Sequence, residues 1–287
     1  MEVKNIVACQ NILGEGPLWN PEEQAIYWVD INGQKIQRFF PETKKYEAFE
    51  VPKKVCVIAF RQKSGIICGA EDGFYFWDAI TKKMEFINHP EKGKSEARFN
   101  DGKVDRMGRF WAGTMTFQGA SSALYRMDKD LSVHQMDSGI TISNGVGWSP
   151  DNKTMYFVDS MRYVIYAYDF DLATGSISHR RDFIQLKESI GIPDGLTVDS
   201  EGYIWCAIYD GWKVMRFDPA GKVDSEVTMP VSKPSSVMFG GKDLDELYIT
   251  SIADGLSLDE KAGQPMAGDL FMVKPGVKGL AEPEFAG

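Results

Sequence analysis

The sequence predicts an all-β protein: a six-bladed β-propeller around a central channel. Three observations carry the prediction. A turn followed by a short aromatic or β-branched strand recurs six times along 287 residues. A further strand-like segment follows each of these units in the same order. Long stretches with the 3.6-residue periodicity of helices are almost absent.

The units, in order, are "NPEEQAIYWVD" at 20–30, "RQKSGIICGA" at 61–70, "DRMGRFWAGT" at 105–114, "SPDNKTMYFVD" at 149–159, "DSEGYIWCAI" at 199–208 and "GKDLDELYIT" at 241–250. Aligned on Tyr27, Ile67, Phe110, Tyr156, Ile204 and Tyr248, they are spaced by 40, 43, 46, 48 and 44 residues. Such a period is the length of a four-stranded propeller blade. The segments that follow, "KIQRFFP", "GFYFWDA", "SALYRMD", "VIYAYDF", "KVMRFDP" and "DLFMVKP", read as the next strand of each blade. Trp19, Trp28, Trp111, Trp148 and Trp205 keep step with the repeat and read as core. To close the ring, a strand near residues 5–9 is expected to pair with the last blade, around "GDLFMVKPG". No linker or low-complexity stretch interrupts the pattern, so residues 1–287 read as a single propeller domain.

Composition narrows the function classes. Hydrophobic residues make up 43% of the chain, enough for a substantial core. The formal charge of −9 argues against a nucleic-acid binder, and Lys53-Lys54 and Lys82-Lys83 are isolated pairs. No apolar run approaches a membrane span. The beginning "MEVKNIVACQNILGEG" lacks the basic and apolar regions of a signal peptide. Cys9, Cys56, Cys68 and Cys206 have no CxxC spacing and read as reduced thiols, which suits a cytoplasmic protein. A monomer or weak homodimer is expected, with no nucleic-acid or membrane partner. His89, His134 and His179 lie in polar stretches outside the motifs and read as surface residues. No HxxxH, GxSxG, GxGxxG or P-loop motif is present.

Upstream of four anchors stand "GEGPLW" (14–19), "NDGKVD" (100–105), "SNGVGW" (143–148) and "PDGLTV" (193–198). In each, an oxygen-bearing side chain precedes a glycine and a short strand. Glu15 and Asn144 lie 12 residues before their anchors, and Asn100 and Asp194 lie 10 before theirs. The innermost strand of each blade lines the channel, so these positions should form a ring at one mouth. Glycine permits tight turning and close approach there. Converging carboxylates repel unless a positive charge sits among them or they share protons. Two carboxylates with an amide oxygen make an oxygen-rich site for a hard divalent cation.

"LGEGPLW", "RFNDGKVDRMGRFWAGTM", "ISNGVGWSPD", "PDGLTVDSEGYIW" and "FGGKDLDELYITS" together resemble the SMP-30/gluconolactonase/luciferin-regenerating-enzyme family over nearly the whole chain. The resemblance implies a six-bladed propeller with one divalent cation in the channel. It also implies hydrolysis of a sugar lactone. Carried onto this sequence, it places the metal ligands at Glu15, Asn144 and Asp194. Substrate contacts fall at Arg98 and Asn100, with Asp101 beside them. The lid over the pocket falls at 116–122, "TFQGASS".

The expected activity is therefore metal-dependent conversion of an aldonolactone to its aldonic acid. The cation would polarise the carbonyl, and Asp194 would also serve as general base. Ca2+ suits the all-oxygen set, with Zn2+, Mn2+, Mg2+ and Fe2+ as the other candidates. The alternatives are a phosphotriesterase-like calcium propeller hydrolase and a non-catalytic metal-binding or scaffold propeller.

Overall fold

The computed structural model describes residues 1–94 and 97–287. Six four-stranded antiparallel sheets form the blades, and within blades 1 to 5 the strands follow chain order from the axis outward. The innermost strands are Gly14–Asn20, Val55–Phe60, Arg98–Val104, Ser143–Trp148, Ile192–Val198 and Pro234–Gly240. Each packs against the next, and the last packs against the first, so the ring closes. The sequence anchors fall on the second strands, Ala25–Asp30, Ile66–Ala70, Phe110–Met115, Thr154–Asp159, Ile204–Tyr209 and Glu246–Ser251.

Burial explains why the second strands were the readable ones. They lie between an inner and a third strand and between neighbouring blades, and Ala25–Asp30 and Phe110–Met115 are buried at every position. A strand covered on both faces reads as a continuous apolar run rather than an alternation. The outermost strands, such as Lys45–Glu50, are largely exposed and carry little apolar signal. Aromatic pairs bridge the blades: Trp19–Tyr248 joins blades 1 and 6, Trp111–Trp148 joins 3 and 4, and Trp205–Phe239 joins 5 and 6, with ring centroids 5.6, 6.0 and 6.1 Å apart. Each such pair adds about 0.5–1.5 kcal/mol beyond its buried area.

The ring is closed by the N-terminal segment. Lys4–Val7 adds to Leu270–Val273 as the outer strand of blade 6. Asp269 anchors this junction: its carboxylate accepts from Asn5 Nδ2 at 2.6 Å and from the Gln10 amide at 3.0 Å. At the other end of the chain, residues 279–287 cross the far mouth of the channel. The Gly279 amide donates to the Leu244 carbonyl in blade 6 at 2.8 Å. The Phe285 and Ala286 amides donate to Phe60 and Gly108, in blades 2 and 3, at 2.8 and 2.9 Å. Phe285 is fully buried, and Glu282 pairs with Lys103 from the channel wall at 3.4 Å. The one α-helix among the described residues is Leu258–Gly263. No helix among them is long and apolar enough to cross a membrane.

Candidate functional site

Every inner strand breaks register near its start. The shifts fall between Glu15 and Leu18, Val55 and Val57, Phe99 and Gly102, Ser143 and Val146, Pro193 and Leu196, and Pro234 and Val237. A bulge inserts an extra residue and re-aims its side chain. Asn100, Asp101, Asn144 and Asp194 lie within these bulges, and Glu15 borders its own. Cys56 and Ser235 hold the corresponding places in blades 2 and 6.

The glycines after these residues serve two different needs. Gly16 has φ +54, a left-handed conformation that favours glycine. Gly145 and Gly195 keep ordinary φ but face the neighbouring inner strand. A Cβ on Gly145 would strike the backbone of Leu196, and one on Gly195 would strike Ser236. Their role is to let adjacent blades crowd together at the axis.

Glu15, Asn144 and Asp194 converge on the floor of a cavity of about 280 Å³, with Arg98 and Asn100 beside them. All three are nearly buried, each 6% exposed. A chain of hydrogen bonds fixes the amides. Arg98 Nη1 donates to Asn100 Oδ1 and to the Phe99 carbonyl, both at 2.8 Å. Asn100 Nδ2 donates to Asn144 Oδ1 at 2.9 Å and to the Ser143 carbonyl at 2.8 Å. Asn144 Nδ2 donates to Ser160 Oγ at 2.8 Å, and Ser160 donates to the Pro193 carbonyl at 2.7 Å. With Nδ2 committed to Ser160 and Oδ1 accepting from Asn100, the second lone pair of Asn144 Oδ1 is what this amide has left for a ligand.

The carboxylates are in conflict. Burial raises the Glu15 acid well above the usual carboxylate range, and the charges of Asp194 and Asp101 push it further. Asp194 is raised by burial and then by Asp101, against a lowering contribution from the Gly195 amide. Asp101 is pushed up to about 6, chiefly by burial. Asp194 Oδ1 is fully enclosed and has no hydrogen-bond partner among the described residues. No three His, Cys, Asp or Glu side chains among these residues form a cation-binding group, so the set at the axis depends on the amide of Asn144. Two acids, one oriented amide oxygen and an orphaned carboxylate oxygen fit a hard divalent cation.

Asp101 does not line this cavity, although the sequence grouped it with the substrate contacts. It points into the narrow channel below, where a space of about 20 Å³ also borders Lys103 and Glu282. That space holds roughly one water molecule. Its neighbour Asn100 faces the cavity instead, because adjacent residues of a strand point opposite ways. None of the three histidines lines the cavity. In the segment 116–122, Phe117 reaches the cavity and is 86% exposed, so this loop stands at the rim.

Sequence reasoning missed several positioning groups. Ser160 orients Asn144. Asp30 and Asp159, the last residues of the second strands of blades 1 and 4, grip the segments that lead into the inner strands carrying Glu15 and Asn144. Asp30 accepts from the Ile12 and Leu13 amides at 3.1 and 2.9 Å. Asp159 accepts from the Thr141 and Ile142 amides at 3.1 and 3.3 Å. The shared endings "YWVD" and "YFVD" were the available signal. Tyr209, also on the cavity wall, accepts a 2.5 Å hydrogen bond from the nearly buried Lys233, and no spacing pointed to it.

Fold and site define a class: a six-bladed propeller whose axial cavity is floored by acid and amide oxygens. The chain belongs to the SMP-30/gluconolactonase/LRE-like family, whose model matches residues 13–253. It is 36% identical to regucalcin of Xenopus laevis over 296 residues, covering 100% of this chain and 99% of that protein. It is 34% identical over 279 residues to a Bacillus subtilis (strain 168) protein provisionally named sugar lactone lactonase YvrE, covering 96% of each. Among solved structures, a luciferin-regenerating enzyme superposes with a TM-score of 0.93 at 32% identity, covering 99% of both chains. A calcium-binding regucalcin from Agrobacterium tumefaciens strain C58 superposes at 0.95 with 25% identity, covering 99% of this chain and 97% of that one.

Proposed function

We propose that the protein is a divalent-cation-dependent lactonase that opens a lactone ring to the hydroxy acid, with sugar lactones as the reference class. The observation that carries this reading is the unpartnered, buried Asp194 Oδ1 beside a second raised carboxylate at the floor of an accessible cavity. The family and the lactonase name carried by the Bacillus relative support it, and the calcium-binding relative supports a cation.

Glu15, Asn144 and Asp194 would hold the cation, which supplies Lewis-acid stabilisation of the charge developing on the carbonyl oxygen. Arg98 orients the ring against this floor, and Asn100, whose amide hydrogens go to the Ser143 carbonyl and Asn144, holds Arg98 and Asn144 in place. Asp194 accepts the proton of the attacking water as its oxygen adds to the carbonyl carbon. The ring C–O bond then breaks, and Asp194 returns the proton it took to the leaving oxygen, which becomes the hydroxyl of the product. A ring bound beneath the apolar upper wall would displace bulk water from the floor, which strengthens each electrostatic contact there.

The test is titrimetric hydrolysis of glucono-δ-lactone by chelator-treated protein, before and after addition of Ca2+, Mg2+, Mn2+, Zn2+ or Fe2+. Turnover should vanish with the chelator and return with a cation. Full activity in cation-free protein would defeat the reading.

A further inference from the structure

The cavity has two chemically distinct halves. The floor is polar, and almost all of its polar groups are already engaged. Glu15, Asn144 and Asp194 form the cation set. Ser160 is committed between Asn144 Nδ2 and the Pro193 carbonyl. Both hydrogens of the Asn100 amide have partners. Arg98 and the Tyr209 hydroxyl are what the lining offers to a substrate's own polar groups.

The walls are apolar. Leu13, Ile142, Ile192 and Ile252 surround the floor, and Phe117 and Met161 stand at the rim. Leu13, Ile142 and Ile192 are only partly buried, while Phe117 is 86% and Met161 50% exposed. These side chains therefore leave apolar surface facing the cavity. A polyhydroxylated ring would set several hydroxyls against these walls, where they would lose water without gaining partners. An apolar substituent would instead cover the exposed surface and be covered by it.

We infer that the cavity is built for a lactone with one polar end and one apolar end: the ring ester on the oxygen floor, and an alkyl or aryl substituent against the Leu13, Ile142, Ile192 and Ile252 wall under Phe117 and Met161. This rests on the lactonase reading and refines its substrate class. Lactones bearing such a substituent are preferred over fully hydroxylated aldonolactones.

The experiment compares kcat/KM for three δ-lactones at saturating cation: glucono-δ-lactone, unsubstituted δ-valerolactone and butyl-substituted δ-nonalactone. Each carbon buried against the wall should raise kcat/KM about fourfold, so the three methylenes and the methyl of the butyl chain should give roughly 60- to 250-fold over δ-valerolactone. Its kcat/KM should also exceed that of glucono-δ-lactone. In the double variant Phe117→Ser with Met161→Ser, the ratio of δ-nonalactone to δ-valerolactone should fall about tenfold or more. Both positions are exposed, and thermal melting confirms that the variant is folded. A faster rate on glucono-δ-lactone than on δ-nonalactone overturns the inference and leaves the lactonase reading standing. So does a nonalactone-to-valerolactone ratio near one, or a ratio unchanged in the folded double variant. No turnover of any of the three with any cation overturns both.

Discussion

Asp194 and Glu15 share the cavity floor, both enclosed and both raised by burial and by each other's neighbourhood, yet they differ in one respect. The amide of the next glycine faces each carboxylate, Gly16 at 3.1 Å from Glu15 and Gly195 beside Asp194, but of the two only Asp194 has a fully enclosed oxygen with no partner among the described residues. Their roles are therefore separable. Asp194→Asn retains an oxygen and the volume but loses a charge and a base. Its cation affinity should fall roughly 10- to 150-fold, the loss of one charge-assisted contact. Its kcat at saturating cation should stay roughly 100-fold or more below wild type, the usual contribution of a general base. Glu15→Gln should bind cation more weakly but recover most of its kcat once loaded. Calorimetric titration gives occupancy, and lactone turnover at full occupancy gives kcat. Wild-type kcat in loaded Asp194→Asn would leave Asp194 as a ligand only.

The elements that carry these residues are held in place from behind. Asp159 ends the second strand of blade 4 and accepts from the amides of Thr141 and Ile142 and from the Thr141 hydroxyl. It thereby fixes the entry to Ser143–Trp148, one residue before Asn144. Asp159→Ala leaves these donors without an acceptor in a buried setting. The expected cost is about 2–4 kcal/mol of stability, read by urea unfolding. A weaker cation affinity should accompany it, because the bulge that aims Asn144 loses its anchor. Wild-type cation affinity in a folded Asp159→Ala protein would mean that the strand pairing alone sets the bulge. Two other buried aspartates, Asp105 and Asp199, stand in the turns that follow the inner strands Arg98–Val104 and Ile192–Val198. Asp105 holds Arg109 and Trp111, and Asp199 holds Trp205 and Arg216. These two hold the far ends of their inner strands, whereas Asp30 and Asp159 grip the segments that lead into the starts of the strands carrying Glu15 and Asn144.

Across the whole molecule, the carboxylates at the axis destabilise the cation-free fold. Asp101 titrates near pH 6 in the folded chain, above an ordinary aspartate, so the folded state holds the proton more tightly than the unfolded one. The cation-free protein therefore loses stability as the pH rises from about 4 through 6. Glu15 and Asp194 are raised too and act in the same direction. A bound cation favours the ionised forms and removes the penalty. The gap in Tm between cation-loaded and chelated protein should widen from pH 4 to pH 7. A gap independent of pH would show that the acids are not at the cation. The strap across the far mouth acts on the same scale. Phe285 is fully buried between blades 2 and 3, and Phe285→Ala should cost about 3–5 kcal/mol in urea unfolding. Loss of less than about 1 kcal/mol would mean that the strap merely lies on the fold.

The sequence by itself determined the blade count, because each second strand is buried on both faces and must repeat its aromatic and β-branched residues at a fixed interval. It also placed Glu15, Asn100, Asn144 and Asp194 at matched points, because an oxygen-bearing residue before a glycine at the start of an inner strand is a local pattern. The closing strand was legible to within two residues, as Lys4–Val7. What only the tertiary structure decided was direction and contact. Asn100 and Asp101 are neighbours in the chain, yet one faces the cavity and the other the channel beneath it, since a strand alternates its sides and a bulge resets which side comes next. Ser160, Asp30 and Asp159 act through partners at the seams between strands and blades. The apolar wall is assembled from separate blades, each contributing a residue or two with no pattern of its own. Surface that converges from distant segments has no local signature, and the closed ring of blades is what brings it together.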